Sequence, residues 1–144
     1  MMKRNLLIGL VVFLVIFSFV AEVSAQKVVA KLQGGRMILR LEPEESVRKK
    51  ITVINDNDVL MNIELTVSGD LEGDIELEED GFVVEAGERK DAYFIIKAPK
   101  SAGTTESKIN VKYTTTGEDE NSVGLAAVII VITSGEGLDV EVDD

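Results

Sequence analysis

Apolar and polar residues alternate with a period of two along most of the chain that follows residue 25. This alternation is typical of half-buried β-strands, and no stretch after that point shows the period of an amphipathic helix. The segment 59–67 is the clearest case, because Met61, Ile63 and Leu65 alternate with polar residues. The strands predicted in this way are 26–32, 36–41, 47–55, 59–67, a short one near 75–77, 82–84, 90–98, 108–114 and 122–133.

Turn-forming residues separate these segments. Gly34 and Gly35 lie between the first two, and such a pair predicts a kink where a first strand changes sheets. Asn and Asp fill positions 55–58, where they favour a tight turn, and loops are predicted at 99–106 and 115–121. The first two segments are thus two pieces of one kinked strand. Short strands at regular spacing predict an all-β fold, an antiparallel two-sheet β-sandwich of seven to eight strands with Greek-key connections. One such domain would take up residues 26–134.

The N-terminal residues have the three parts of an export signal. Lys3 and Arg4 precede an apolar run over 6–20, and Val23 and Ala25 stand where a signal peptidase requires small residues. We therefore interpret 1–25 as an apolar signal helix and signal peptide; an uncleaved membrane anchor is the alternative. Either way the remaining chain is expected outside the cytoplasm, as an extracellular or cell-surface protein, with membrane contact only through an uncleaved N-terminal segment.

Composition narrows the function further. The chain has 15 basic and 26 acidic residues, a net charge of −11, and this balance disfavours binding to nucleic acid or anionic lipid. It has no Cys and no His, so disulfides, the usual nucleophile–base pairs and soft metal sites are missing. We therefore expect no enzymatic activity and no bound cofactor. Residues 135–144 form an acidic tail that is expected to be loose.

Three segments resemble a known class of domain. They are the strand and Asn-rich turn of 50–58, the strand of 63–71 that ends in Ser-Gly-Asp-Leu, and the segment 82–90 with its Ala-Gly-Glu turn. Together with the strand that runs to Pro99, they are similar to the immunoglobulin-like, fibronectin-type-III-like modules of secreted bacterial and archaeal surface proteins. The resemblance implies an immunoglobulin-like β-sandwich and a spacer, adhesion or carbohydrate-associated role.

Acidic loops offer the only candidate metal ligands, and Ca²⁺ is the ion that such oxygen ligands prefer. The best candidates are Glu118, Asp119 and Glu120 in the loop before the last predicted strand. No acidic run in the chain matches an Asp-x-Asp-x-Asp-Gly calcium loop, and a solvated charged loop is the simpler interpretation.

The last predicted strand is apolar on both faces. Leu125, Ala127, Ile129 and Val131 can fill the core, and the residues between them then face outward. At a sheet edge such a strand would pair with another chain. The alternatives are that the first predicted strand covers it, or that a bulge near Gly124 shifts its phase. The outward residues of this candidate partner face are Ala126, Val128, Ile130 and Ile132.

The sequence thus predicts a secreted or cell-surface, non-catalytic structural or interaction module for adhesion or for binding a protein partner, an envelope component or itself. A calcium- or carbohydrate-binding accessory module is the first alternative. The second is a strand-donating, chaperone-like protein, since periplasmic pilus chaperones use an immunoglobulin-like edge strand in that way. Those chaperones have two domains, and only one is expected here.

Overall fold

A computed structural model describes residues 28–116 and 121–135 of the chain. The predicted signal segment 1–25 and nearly all of the acidic tail 135–144 lie outside these ranges. Within them the chain forms nine strands and a single 3₁₀ turn at Glu72–Asp74. The strands are β1 (Lys31–Gln33), β2 (Arg36–Leu41), β3 (Ser46–Ile54), β4 (Met61–Gly69), β5 (Ile75–Leu77), β6 (Gly81–Val84), β7 (Arg89–Lys97), β8 (Gly103–Thr115) and β9 (Ser122–Thr133).

The strands form two sheets, in the order β1-β3-β7-β5 and β2-β9-β8-β4-β6. The prediction of an all-β, two-sheet sandwich is therefore confirmed. The described residues contain nine strands rather than seven or eight, because the two halves of the first segment lie in different sheets and count separately. One pairing also departs from the antiparallel prediction, since β2 runs parallel to β9.

The glycine pair lies where the chain changes sheets, as predicted. Before it, β1 pairs with β3, and after it β2 pairs with β9 in the other sheet. Gly34 has a φ of 78°, and a Cβ there would lie 3.4 Å from the carbonyl oxygen of Lys50. A side chain at this position would be both strained and crowded, so glycine allows the tight corner.

The predicted loop over 99–106 is wrong in its second half. Strand β8 already begins at Gly103, and Thr104 and Thr105 pair with Ile132 and Val131 of β9. Threonine is β-branched and favours extended backbone. The long β9 offers these residues a partner, although they show no apolar alternation of their own.

The core lies between the sheets and follows the predicted alternation closely. Over part of its length, each of the strands β4, β8 and β9 buries every second residue. The largest of these buried side chains is that of Tyr113. Leu125 was expected in the core but keeps 37% of its surface exposed, so on β9 the core begins at Ala127. In the described part of the chain, no helix has the length and apolarity that crossing a membrane would require.

Candidate functional site

The two-faced strand β9 lies inside the five-stranded sheet, between β2 and β8. It therefore does not have the edge position in which such a strand would pair with another chain. It is β2, rather than the first predicted strand, that pairs beside β9. The pairing of β9 with β8 is continuous from Ser122 to Thr133, so no bulge near Gly124 shifts its phase.

The four predicted outward residues of β9 share the outer face of this sheet. Ala126 is exposed, and Val128, Ile130 and Ile132 are half-buried. Their cross-strand neighbours on β8 and β2 account for the partial burial, since long side chains cover apolar surface with their aliphatic stems. Beside Ile130 lies Ile38 of β2, which is 55% exposed.

These residues form one continuous apolar surface. We call Ile38, Val128, Ile130 and Ile132 the apolar stripe. Along β9 it extends for about 13 Å, from the usual rise of ~3.3 Å per strand residue. It differs from isolated exposed apolar residues because its members are adjacent both along and across strands, and contiguous patches are typical of interaction sites.

Two arginines flank the stripe on the β2 side, and Lys108 and Glu106 flank it on the β8 side. Val128 lies between Arg36 of β2 and Lys108 of β8, Ile130 lies opposite Glu106, and Ile132 lies next to Arg40. We call Arg36, Arg40 and Lys108 the basic frame. All three are exposed, and none forms an ion pair with another described residue. Because the chain as a whole carries a charge of −11, this unpaired positive charge is a local exception.

On the outer face of the four-stranded sheet, by contrast, several charges are paired. Arg48 binds Glu78 through two hydrogen bonds, of 2.6 and 2.9 Å, and its guanidinium lies 3.9 Å from the centre of the Tyr93 ring. The bond from Arg48 lowers the pKa of the Glu78 carboxyl and raises the pKa of Arg48.

A second charged cluster lies on the same face. Asp91 accepts hydrogen bonds from Thr52 at 2.7 Å and Lys50 at 3.2 Å. The bond from Thr52, followed by that from Lys50, lowers the pKa of Asp91. These pairs neutralise part of the charge on this face.

The candidate calcium ligands Glu118, Asp119 and Glu120 lie outside the described residues. Other acidic loop residues form ion pairs: Asp56 with Lys31 at 2.7 Å, and Glu79 with Lys90 at 2.9 Å. Among the described residues no three carboxylates come together as metal ligands would.

Two open hollows adjoin the stripe. One, of about 490 Å³, lies beyond Ala126, between β4, β8 and β9. The other, of about 280 Å³, lies where β2 and β9 end, and Arg40, Ile132 and Thr133 line it. The Thr133 hydroxyl is buried and has no hydrogen-bond partner in the described part of the chain.

Sequence analysis missed Ile38 and the basic frame. Ile38 was recognisable as an apolar residue in the outward phase of β2, between Arg36 and Arg40. Alternation assigns a residue to a face, but it does not identify the neighbouring strand. The juxtaposition of Ile38 with Ile130 therefore required the sheet order.

No protein-family model matches the chain, and no curated protein does. Solved structures with similar folds exist. The chain is 18% identical to the Escherichia coli chaperone DraB, with a TM-score of 0.59, over 82% of this chain and 62% of DraB. It is 13% identical to a chain of the Salmonella enterica SafA pilin–SafB chaperone complex, with a TM-score of 0.61, over 83% and 63% of the two chains.

A third similar structure is the PapD-like domain of human CEP192, with 11% identity and a TM-score of 0.60, over 77% of this chain and 91% of that domain. At such identities the likeness concerns the fold alone. It shows an immunoglobulin-like β-sandwich. The chain spans a little under two thirds of the length of the DraB chaperone.

Proposed function

We propose that this protein is an exported, non-catalytic interaction module that binds a protein partner on the outer face of its five-stranded sheet. The apolar stripe inside the basic frame is the observation that carries the proposal. Ile38 faces outward with 55% of its surface exposed and lies beside Ile130, so the exposed apolar residues are contiguous rather than scattered. Removing this apolar surface from water would favour binding by roughly 25 cal/mol per Å².

The basic frame defines the chemistry of the partner. Arg36, Arg40 and Lys108 are exposed and lack acidic partners among the described residues. Their charge would attract acidic groups at the rim of an apolar contact and repel basic ones. The expected partner surface is therefore apolar at its centre and acidic where it meets the basic frame.

Site-specific photo-crosslinking tests this proposal directly. A photoreactive phenylalanine analogue replaces Ile130 in the protein, expressed in its own exporting cell. The matched control places the analogue at Ile95, which is 37% exposed on the outer face of the four-stranded sheet. We expect a discrete covalent adduct from position 130 and none from position 95.

A charge substitution provides the second arm. Lys108→Glu should reduce the adduct from position 130 several-fold, since it reverses one charge of the basic frame. Equal adducts from positions 130 and 95, or no adduct from either, would contradict the proposal.

A chaperone-like role is the second candidate, and the similar structures favour it. DraB is a chaperone, and SafB is a chaperone solved in complex with the SafA pilin. In such a role the stripe would cover an apolar segment of a client protein until that client folds or assembles. The same crosslinking after a pulse of labelled amino acids separates the two roles, because a client adduct disappears during the chase and a stable partner's adduct persists.

A further inference from the structure

Strand β2 leaves one edge of the five-stranded sheet unpaired. On its other side it bonds to β9, and the carbonyl of Gly35 accepts the N–H of Val128 at 2.8 Å at the start of this ladder. Main-chain groups alternate in direction along a strand, so the even-numbered residues of β2 point theirs to the free edge. No described residue hydrogen-bonds to these main-chain groups, which belong to Arg36, Ile38 and Arg40.

The side chains beside this edge specify what could pair with it. On the outer face Arg36 and Arg40 lack ion-pair partners among the described residues. On the inner face Met37 and Leu39 are only half-buried, although they pack against the core. A complementary strand would carry acidic residues on its outer side and apolar residues on its inner side.

The chain itself contains such a strand sequence. Within 138–143, Leu138, Val140 and Val142 alternate with three acidic residues. These six residues equal the length of β2, and no basic residue occurs between 136 and 144. The segment lies outside the described residues, and it begins three positions beyond Gly135.

One antiparallel register places two of the acidic residues directly opposite the two arginines. With Asp139 opposite Arg40, Asp143 falls opposite Arg36, and Glu141 falls opposite Ile38, between the two arginines. The same register places Val140 opposite Leu39 on the inner face. Opposite charges and apolar pairs directly across strands each stabilise a sheet, whereas a shift by one residue would reverse both matches.

A second copy supplies the segment more readily than the same molecule does. The N–H of Ser134 bonds to the carbonyl of Leu41 at the end of the β2–β9 ladder. To reach the free edge of its own β2, the chain would have only residues 135–137 to pass over the segment that leaves β2 at Glu42. Connections that cross in this way at a sheet end are rare. Exchange of an identical segment between copies avoids the crossing.

We propose that residues 138–143 of one copy add to the free edge of β2 in a second copy as an antiparallel strand. The contact is a main-chain edge between copies, whereas the partner site of the proposed function is a side-chain face, and the two share only Arg36 and Arg40. The inference therefore does not rest on the proposed function.

Sedimentation equilibrium of the purified exported protein over a range of concentrations tests the inference. Arg40→Glu and Asp139→Lys should each raise the dissociation constant of self-association by about 3- to 10-fold, and the double variant should restore it. Glu141→Pro should abolish association, because in this register the main-chain N–H of Glu141 faces the carbonyl of Ile38 and proline removes that donor.

Two controls keep the result specific. Glu136→Lys makes the same charge change as Asp139→Lys outside the six-residue stretch and should leave association unchanged. Ile130→Lys alters the face alone and should leave it unchanged as well. Circular dichroism verifies that each variant is folded.

Three results would overturn the inference. One is a protein that remains monomeric at every concentration, and another is a double charge exchange that restores nothing. The third is slow hydrogen exchange of the 139–143 amides in a sample that sediments as a monomer, because the segment would then pair within its own molecule.

Discussion

Asn55 is the most completely bonded polar side chain of the described residues. Its amide nitrogen donates to the carbonyls of Val59 at 2.8 Å and Val84 at 2.9 Å, and its side-chain oxygen accepts from Asn57. Asn57 in turn bonds both main-chain groups of Val29 at 2.8 Å. Two residues that sequence analysis assigned simply to a turn thus connect β3, β6 and the start of the described chain.

We predict that Asn55→Ala lowers the free energy of unfolding by about 2–3 kcal/mol, because it leaves buried carbonyl groups unpaired. Asn55 is fully buried, whereas Asn62 on β4 is exposed, so Asn62→Ala is the matched control. Urea unfolding followed by circular dichroism measures both. A loss at Asn55 no larger than that at Asn62 would show that the network contributes little.

Tyr113 gives the second residue-scale prediction. Its hydroxyl donates to the carbonyl of Lys31, and burial raises the pKa of Tyr113 to about 12. In the unfolded chain tyrosine ionises near a pKa of about 10. Above that pH the unfolded state releases a proton that the folded state retains, so stability falls as the pH rises from about 10 towards 12.

Tyr113→Phe should remove this part of the alkaline loss while costing about 1 kcal/mol at neutral pH through the missing hydrogen bond. Thermal unfolding at neutral pH and above pH ~10 measures both effects. If the stability of the wild type and of the variant falls equally steeply with rising pH, the alkaline loss of stability belongs to groups other than Tyr113.

At the scale of elements, period-two alternation was sufficient to place most strands and their inner faces. It succeeded on β4 and β9 because one face is buried and each apolar residue occupies every second position. It failed at the start of β8, where Thr104 and Thr105 are polar and their extended backbone depends on pairing with β9. The glycine pair was predictable because its corner is a local requirement of the backbone.

The paired charges on β3 and β7 give an element-scale prediction. Thr52 and Lys50 lower the pKa of Asp91 in the folded state, so the ionised carboxylate stabilises the fold. That contribution is complete above the ordinary aspartate pKa of about 3.9 and is lost as the pH falls through the lower folded-state value. The melting temperature of Asp91→Asn should therefore lie below that of the wild type at pH 7, and the two should converge in strong acid.

Thr52→Val provides the check on mechanism, because it removes the largest cause of the pKa shift and keeps the carboxylate. It should reduce the acid-dependent part of the stability without abolishing it. Melting temperatures that differ between the wild type and Asp91→Asn by the same amount at pH 7 and pH 2 would contradict the assignment.

At the scale of the whole molecule, the candidate site is a product of sheet order. Sequence alone placed Ala126, Val128, Ile130 and Ile132 in one phase, but it could not bring Ile38 or Lys108 beside them. Ile38 lies in β2, far from β9 along the chain, and alternation contains no information about which strands meet. Lys108 lies in the strand just before β9, but its place opposite Val128 depends on the register of that pair. The calcium candidates 118–120 stay a sequence prediction, because they lie outside the described residues.

The distribution of charge over the molecule leads to the last prediction. The chain has a net charge of −11, yet Arg36 and Lys108 flank Val128 with no acidic partner among the described residues. The net charge of the molecule would repel an acidic partner rim, and the basic frame would attract it locally. Rim charges of this kind act mainly on the rate of association, and salt screens them over a Debye length of about 8 Å at physiological ionic strength.

Lys108→Gln should therefore slow the formation of the position-130 adduct several-fold at low salt, and the difference should vanish near 1 M salt, where the Debye length is about 3 Å. Lys100→Gln, in the exposed loop before β8, removes the same charge outside the basic frame and should behave as the wild type. Adduct formation during timed illumination of envelope extract mixed with the purified protein measures the rates. If adduct formation by Lys108→Gln stays slow at high salt, Lys108 acts through direct packing rather than through its charge. If Lys100→Gln is slowed equally, the rate depends on the net charge of the whole molecule and not on the basic frame.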